Sequence, residues 1–367
     1  MEQIHDKLQL KQVINASGKM TILGVSKIAD DVAESLKIAG QQFFEMDVLM
    51  KQTGAYLANL LKTEDAQIVS SASAGIALSV AGVIGKGSKK HLYDPYDISL
   101  TSKRQIVLPK GHNVDYGVPI ELMVKQGGGV VREAGYANMC TKDHLRAQIT
   151  AETAAILYVK SHHTVQKSML TVEEAVSVAR EMAVPLIIDA AAEEDVFCYT
   201  AAGADLVIYS GAKAFEGPSS GLVIGRDPYV SWVRLQAKGI GRTMKIGKEN
   251  VMGLVTAMER YLTVGSESPQ AMKQRLIPFV EALNQLPAVV AEIVQDGSGR
   301  AIYRAQLKLA TAEMAQSVIE GQRHGNPAIY TRDYLSNRGV IEYDIRSVDE
   351  AEMKLIVTRL QEILKEK

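Results

Sequence analysis

Cysteine is scarce in this chain: two residues in 367, Cys140 and Cys198, far apart and in no CxxC spacing. That scarcity excludes a disulfide framework and a cysteine-built zinc site, and it fits a reducing compartment. An excess of charge of one sign is missing as well. Forty-one basic and 42 acidic residues leave a formal charge of -1, so no global field draws the chain to nucleic acid or to an anionic membrane. No apolar run approaches the roughly 18 residues that a membrane span requires. The N-terminal MEQIHDKLQLKQVINASGK lacks the apolar core of a signal peptide. Internal repeats and low-complexity segments are absent. No GxGxxG follows a strand and no GxxxxGK[ST] occurs, which removes the common nucleotide-binding loops. The expectation is a soluble, cytoplasmic protein.

What is present is a large apolar fraction, 47%, enough for a sizeable core and two domains. Short apolar runs at 66–70, 106–108, 129–132, 154–159, 186–189, 205–209 and 221–225 read as strands. Helical patterns at 28–61 (broken near Gly40), 76–84, 115–125, 142–149 and 172–183 fall among them. Thr171 and Glu174 form a capping box for the last of these helices. Alternating strands and helices argue for an α/β fold with a mostly parallel sheet covered on both faces. A long helix at 251–262 leads to a region punctuated by Pro269, Pro278 and Pro287. Beyond it, strand patterns at 289–294, 303–309 and 340–345 and a terminal helix at 349–365 suggest an α+β lobe. The expected division is 1–44, an N-terminal arm and helix; 45–260, a large domain; and 261–367, a small domain.

The chemistry concentrates between Pro185 and Arg226. Asp189 follows Leu-Ile-Ile, which places it at the carboxyl end of a strand, where open α/β sheets bind ligands. It would suit a pyridinium N–H, or alternatively cap a helix. Lys213 follows a second strand and is flanked by Ser210, Gly211, Ala212 and Ala214, small residues that let a planar ring approach. A buried lysine there suits a Schiff base; otherwise it is a surface lysine in a glycine loop. The two lie 24 positions apart, room for a helix and a strand. A lysine and a carboxylate so placed are what pyridoxal 5′-phosphate (PLP) asks for. The turn Ser70-Ser71-Ala72-Ser73-Ala74-Gly75 opens a helix, so Ser71, Ala72, Ser73 and Gly75 are candidate phosphate ligands, with Ser210 adding a hydroxyl. His112 either stacks on the cofactor ring or is a loop histidine. His162 and His163 follow a strand; adjacent imidazoles do not chelate one ion together, so no metal is expected. Glu193, Glu194 and Asp195 read as solvated helix residues. Arg242 and Lys245, in a basic glycine-interrupted loop, suit a phosphate or form a solvated linker. Arg332 or Arg346 could clamp a carboxylate.

Strand-Asp189, strand-Ser210-x-x-Lys213 and SSASAG, in that order, resemble the fold-type I PLP enzymes, the aspartate aminotransferase superfamily. INASGKMTILG at 14–24, SSASAGIALSVA at 70–81, LPKGHNVDYG at 108–117 and DLVIYSGAKAFEGPSSGLVIGR at 205–226 are similar to the selenocysteine synthase-related branch, and within it to the D-glucosaminate-6-phosphate ammonia-lyases. The resemblance covers nearly the whole chain. It implies a mostly parallel seven-stranded sheet with a smaller C-terminal α+β domain. It further implies that Lys213 holds PLP, that Asp189 pairs with the ring nitrogen and that SSASAG binds the phosphate. The implied partner state is a homodimer or higher even homo-oligomer with interfacial active sites. The implied reaction is α,β-elimination on a phosphorylated 2-amino-3-hydroxy sugar acid, D-glucosaminate 6-phosphate giving 2-keto-3-deoxy-6-phosphogluconate and ammonia, with Lys213 or His163 as proton donor. Arg242 and Lys245 would take the distal phosphate, and Arg332 or Arg346 the carboxylate. Selenium or sulfur transfer to a seryl group, and a noncatalytic PLP-fold binding protein, stay as alternatives. Selenocysteine synthases carry an additional N-terminal tRNA-binding domain, whereas this chain starts almost directly at the arm and is near neutral, so a tRNA substrate is not expected.

Overall fold

Thr153–Val159 and Leu186–Asp189 are apolar at consecutive positions rather than alternating, and every residue in both is buried. Such strands need cover on both faces, which a sheet between helices supplies. The computed structural model describes residues 4–161, 163–296 and 301–365. Among these, the strands are β1 (Val13–Ala16), β2 (Asp65–Val69), β3 (Gln105–Pro109), β4 (Val130–Ala134), β5 (Thr153–Val159), β6 (Leu186–Asp189), β7 (Leu206–Ser210), β8 (Gly221–Gly225), β9 (Val290–Gln295), β10 (Tyr303–Lys308), β11 (Ala328–Thr331) and β12 (Val340–Tyr343). The chain separates into two units, Ile28–Val264 and a smaller one made of Met1–Lys27 with Gly265–Lys367.

The larger unit is a seven-stranded sheet in the order β2-β8-β7-β6-β5-β3-β4. Only β8 opposes its neighbours; the remaining pairs are parallel. The carboxyl ends of β2, β3, β5, β6 and β7 therefore emerge at one edge, together with the start of β8. Register fixes the positions there: Asp189 lies opposite Val159 and Ile208, while Ser210 and Val69 both lie opposite Gly221. Helix Ala72–Gly85 is apolar all round and buried from Ala74 onward. Its Ile76, Val80 and Val83 join Val69, Ile106, Leu157, Ile208 and Val223 in one core. The other face of the sheet buries Tyr158, Ile188, Val207 and Leu222 against Val176 of helix Val172–Glu181 and Val251, Leu254 and Met258 of helix Lys248–Val264. The capping box Thr171/Glu174 is present. No helix among the described residues is long and apolar enough to cross a membrane.

The smaller unit contains an antiparallel sheet, β12-β10-β9, and a parallel pair of β1 with β11. Helices Pro269–Leu283, Ala312–His324 and Glu350–Lys365 cover a core that includes Ile14, Leu276, Phe279, Leu307, Val318, Ile341, Tyr343 and Ile356.

Several local expectations give way. The arm at 1–27 groups with the C-terminal unit, and helix Asp30–Gly40 groups with the larger one, unlike the expected cut at 44. The helix expected at 115–125 is only Ile120–Gln126, because Pro119 caps it and Gly117 (φ +110°) holds a turn. Residues 193–195 form no helix. The proline-punctuated region is largely helix Pro269–Leu283, with Pro278 inside it. Burial of Leu276, Phe279 and Leu283 outweighs one lost backbone hydrogen bond.

Candidate active site

Asp189 closes β6 with 5% of its surface exposed. Its Oδ1 accepts the Ala191 N–H at 3.1 Å, two residues on, and the next helix starts only at Cys198. The carboxylate is therefore no helix cap. Burial pushes its pKa up to about 6, against the Ala191 N–H and the charge of Lys213, while Glu193 adds to the rise. The pocket thus holds a dry carboxylate whose ionised form is penalised by burial more than the Ala191 N–H and Lys213 favour it, and a protonated pyridine nitrogen would add to that support.

Lys213 stands half-buried in the turn after β7. That turn is braced: the Gly211 N–H donates to the Ser220 carbonyl at 2.9 Å, and the Gly217 N–H to the Gly211 carbonyl at 2.9 Å. A Cβ on Gly211 would meet Ser220 Oγ at 2.1 Å and Leu254 Cδ1 at 2.8 Å, so a larger residue there would have to turn both side chains away. Phe215 anchors the far end of the turn between Tyr209 and Tyr261, at 5.8 and 5.0 Å between ring centroids. Ser210, at the end of β7, is half-buried at the same edge.

The anion cradle lies beside them. Ser71 caps helix Ala72–Gly85, its Oγ accepting the Ala74 N–H at 3.0 Å. The first-turn N–H groups of Ala72 and Ser73 have no intrahelical acceptor and point out of the helix with its positive end. Ala72 and Ser73 are half-buried, open enough to receive a ligand. Gly75 does something else. It is buried, its N–H is spent on the Ser71 carbonyl at 2.9 Å, and a Cβ there would meet Ile208 Cγ2 at 2.8 Å. It lets the helix press on β7 rather than touch a phosphate. A residue the sequence did not flag, Gly221, sets the cradle's position: a Cβ there would meet the Ser71 carbonyl carbon at 2.5 Å and the Ala72 nitrogen at 2.7 Å. Its signal was a glycine opening a strand. Tyr116, inside LPKGHNVDYG but not singled out there, is half-buried against the apolar cluster that Ala72 also joins, and burial raises its phenol.

His112 is fully buried and edge-on to Tyr158, at 4.5 Å between centroids. Its Nδ1 accepts the Val159 N–H at 3.4 Å. Burial, with Lys160's charge second, lowers its pKa to about 4 against a smaller opposing pull from the Val165 backbone. With no accessible face, this neutral imidazole does not form the expected stacking surface. His163 is exposed on the loop after β5, and its imidazole is lowered by partial desolvation first and by Lys213's charge second. His162 lies outside the described residues.

In the basic loop, Lys238 pairs with Asp47 at 2.9 Å and Lys248 Nζ donates to the Ala39 and Gly40 carbonyls, both at 2.8 Å. Arg242 and Lys245 are exposed, with no side-chain hydrogen bond or ion pair among the described residues. In the smaller unit, Arg346 grips Asp344 with two bonds, at 2.9 and 2.8 Å. Asp344 is fully buried, its carboxyl lowered to about 2 by Arg346 and Arg304 against the cost of burial. Arg304 also holds Asp296 at 2.6 Å. Arg332 is less committed. It stands 3.5 Å from Glu342 and from the Ser17 carbonyl, over the Tyr334 ring, and its Nε is buried without a hydrogen bond.

Lysine, buried carboxylate and helix N-terminus at one sheet edge fit PLP: amine for its aldehyde, anion for its ring nitrogen, N–H and hydroxyl donors for its phosphate. Such a set can hold the cofactor and move a proton at a carbon attached to it. The SelA model, L-seryl-tRNA selenium transferase, matches residues 96–315. The chain is 45% identical to a D-glucosaminate-6-phosphate ammonia lyase of Salmonella typhimurium, over 98% of this chain and 97% of that one. It is 36% identical to a 5′-C-glycyluridine monooxygenase-decarboxylase of a Streptomyces species, over 99% and 92% respectively. A solved structure of D-glucosaminate-6-phosphate ammonia-lyase superposes with a TM-score of 0.93 at 44% identity, covering 100% of this chain and 99% of that one. The fold is that of the aminotransferase-like, fold-type I PLP enzymes.

Proposed function

The chain belongs to the SelA family, that of L-seryl-tRNA selenium transferase, and on that premise we propose that it is a PLP-dependent ammonia-lyase acting on D-glucosaminate 6-phosphate. The products are 2-keto-3-deoxy-6-phosphogluconate and ammonia. The observation that carries the reading is the dry Asp189 carboxylate beside Lys213 at the carboxyl edge of the sheet. The similarity to the ammonia lyase over almost the full length of both chains supports the substrate.

When bound, PLP supplies an electron sink for the pair left behind at the substrate's Cα. Asp189 holds the proton on the ring nitrogen. Ser71, Ala72 and Ser73 hold the phosphate, with Ser210 adding a hydroxyl. Lys213, its amine free once substrate is bound, would take the proton from Cα. Lys213, cationic once it holds that proton, would pass it to the departing 3-hydroxyl, directly or through the neutral imidazole of His163, which takes one proton as it gives another, and the hydroxyl leaves as water. The enamine left behind is released, takes a proton at C3 as it tautomerises to the imine, and water hydrolyses the imine to the 2-keto acid and ammonia. Arg332 takes the carboxylate in preference to Arg346, whose guanidinium is neutralised by Asp344. Arg242 and Lys245 take the distal phosphate. They act across a subunit boundary in a homodimer or higher even oligomer, in the cytoplasm.

The test is incubation of PLP-loaded protein with D-glucosaminate 6-phosphate, reading ammonia and 2-keto acid. Lys213→Ala should abolish both products and the visible absorbance of lysine-bound cofactor. Mixing Lys213→Ala with Arg242→Ala subunits should restore part of the activity if sites are shared. No ammonia from the wild type, together with a gel shift of seryl-tRNA, would overturn the reading in favour of selenium transfer.

A further inference from the structure

Lys213 belongs to the turn at 211–220, and that turn lies along one face of helix Lys248–Val264. The helix residues that meet it are Asn250, Gly253, Leu254, Ala257 and Tyr261, the i, i+3, i+4, i+7, i+11 spacing of a single stripe. Leu254 Cδ1 stands 2.8 Å from where a Cβ on Gly211 would be, and Ala257 Cβ 3.1 Å from where one on Gly217 would be. In return, Pro218 Cγ lies 3.0 Å from where a Cβ on Gly253 would be. The Tyr261 ring packs on Phe215 at 5.0 Å between centroids. Asn250 makes the stripe's polar contact with the turn: its Nδ2 donates to the Ser219 carbonyl at 2.9 Å.

These contacts differ in what they fix. Apolar packing is non-directional and holds the turn against the helix. A hydrogen bond is directional, so the one from Asn250 sets where the turn sits along the helix axis. Around Ser219 the turn is tied to itself: the Ser220 Oγ–H donates to the Pro218 carbonyl at 2.8 Å, and the Gly211 N–H to the Ser220 carbonyl at 2.9 Å. A shift at Ser219 therefore passes to Gly211, two residues before Lys213. We infer that Asn250 is a positioning residue: through the Ser219 carbonyl it fixes where the Lys213 amine stands relative to the seat of the cofactor. It does so on the reading that Lys213 holds PLP. The seat itself is built by Asp189 at the end of β6 and by the start of helix Ala72–Gly85, which packs on the opposite face of the sheet from helix Lys248–Val264. Lysine and cofactor are thus placed by separate elements. A turn that slides along its helix moves the amine while the seat stays.

The test is a double-mutant cycle on cofactor-depleted protein: wild type, Asn250→Ala, Lys213→Ala and the two combined, each dialysed to equilibrium against PLP. Loss of one hydrogen bond that steers the lysine predicts roughly 3- to 10-fold weaker PLP binding in Asn250→Ala, with a matching loss of the visible absorbance of lysine-bound cofactor at fixed PLP. In the Lys213→Ala background, where no amine remains to be placed, the same substitution should leave PLP affinity unchanged. Asn250→Asp keeps the side chain's shape but not its donor, and should behave as Asn250→Ala does. Equal losses in both backgrounds, the mark of a merely structural residue, or no loss in either, would overturn the assignment. A wild type that binds no PLP would sink the functional reading instead, so the two failures are distinct. Melting of the cofactor-free variants beside the wild type identifies any that fail to fold, and if Asn250→Ala is one of them, Asn250→Asp carries the cycle in its place.

Discussion

At the scale of single residues, the site is organised by which charges have been dried and which have been paired. Asp189 is the clearest case, pushed by burial from the usual carboxylate range up to about 6. A carboxyl raised on folding contributes its full stability below the unfolded pKa and loses it as pH rises through the folded one. Cofactor-free Asp189→Asn should therefore match the wild type near pH 4 and become more stable by about 2 to 3 kcal/mol above pH 6. Chemical denaturation across that range checks it, and PLP should shrink the gap by supplying a further cation. The arginines separate in the same way. Arg332→Lys should raise KM for the sugar acid with little change in melting temperature. Arg346→Met should mainly lower the melting temperature, because it takes from the buried Asp344 its bidentate partner. Asp189 and Lys213 were legible in the sequence because a charge at the end of an apolar run has one destination. The burial of His112 was not, since the residues of its loop do not state which way the ring turns.

At the scale of elements, the sequence reading succeeded where small residues cluster and failed where one residue carries a strong prior. SSASAG reads correctly as a helix start with free N–H groups. Within it, Gly75 looks like a ligand but is a packing residue, a distinction that needs β7 in view. Pro278 suggests a linker, yet three buried apolar side chains around it keep the helix. β11 is four residues long and has no turn signature to announce it, so it went unread. The cradle depends on an element that never touches ligand. Gly221 lets β8 pass directly under Ser71 and Ala72, and the atoms a Cβ would strike are backbone atoms with no rotamer to escape into. Gly221→Ala should displace the helix start, cost roughly 1 to 3 kcal/mol of stability, and weaken PLP binding more than pyridoxal binding. A thermal melt and spectral titrations with PLP and with phosphate-free pyridoxal would measure both; an unchanged preference for PLP would contradict this role for the glycine.

At the scale of the whole molecule, the two units differ in how the chain supplies them. Residues Ile28–Val264 form the larger unit as one continuous segment, whereas the smaller unit draws on both ends. The pairing of Val13 with Ala328 and of Ala16 with Thr331 is the tie. The sequence shows an arm at the N-terminus but not its destination, because a four-residue strand carries no mark of its distant partner. That pairing has a temporal consequence. During synthesis, the arm leaves the ribosome ahead of its strand partner and meets it only after more than three hundred further residues have been made. The segment of the larger unit can meanwhile collect all its own strands. A non-local contact of this span makes a late folding step. In refolding, a fluorescent label on the arm should reach its native signal after one on helix Ala72–Gly85, and simultaneous recovery would argue against that order. A strand made early is among the last to be placed.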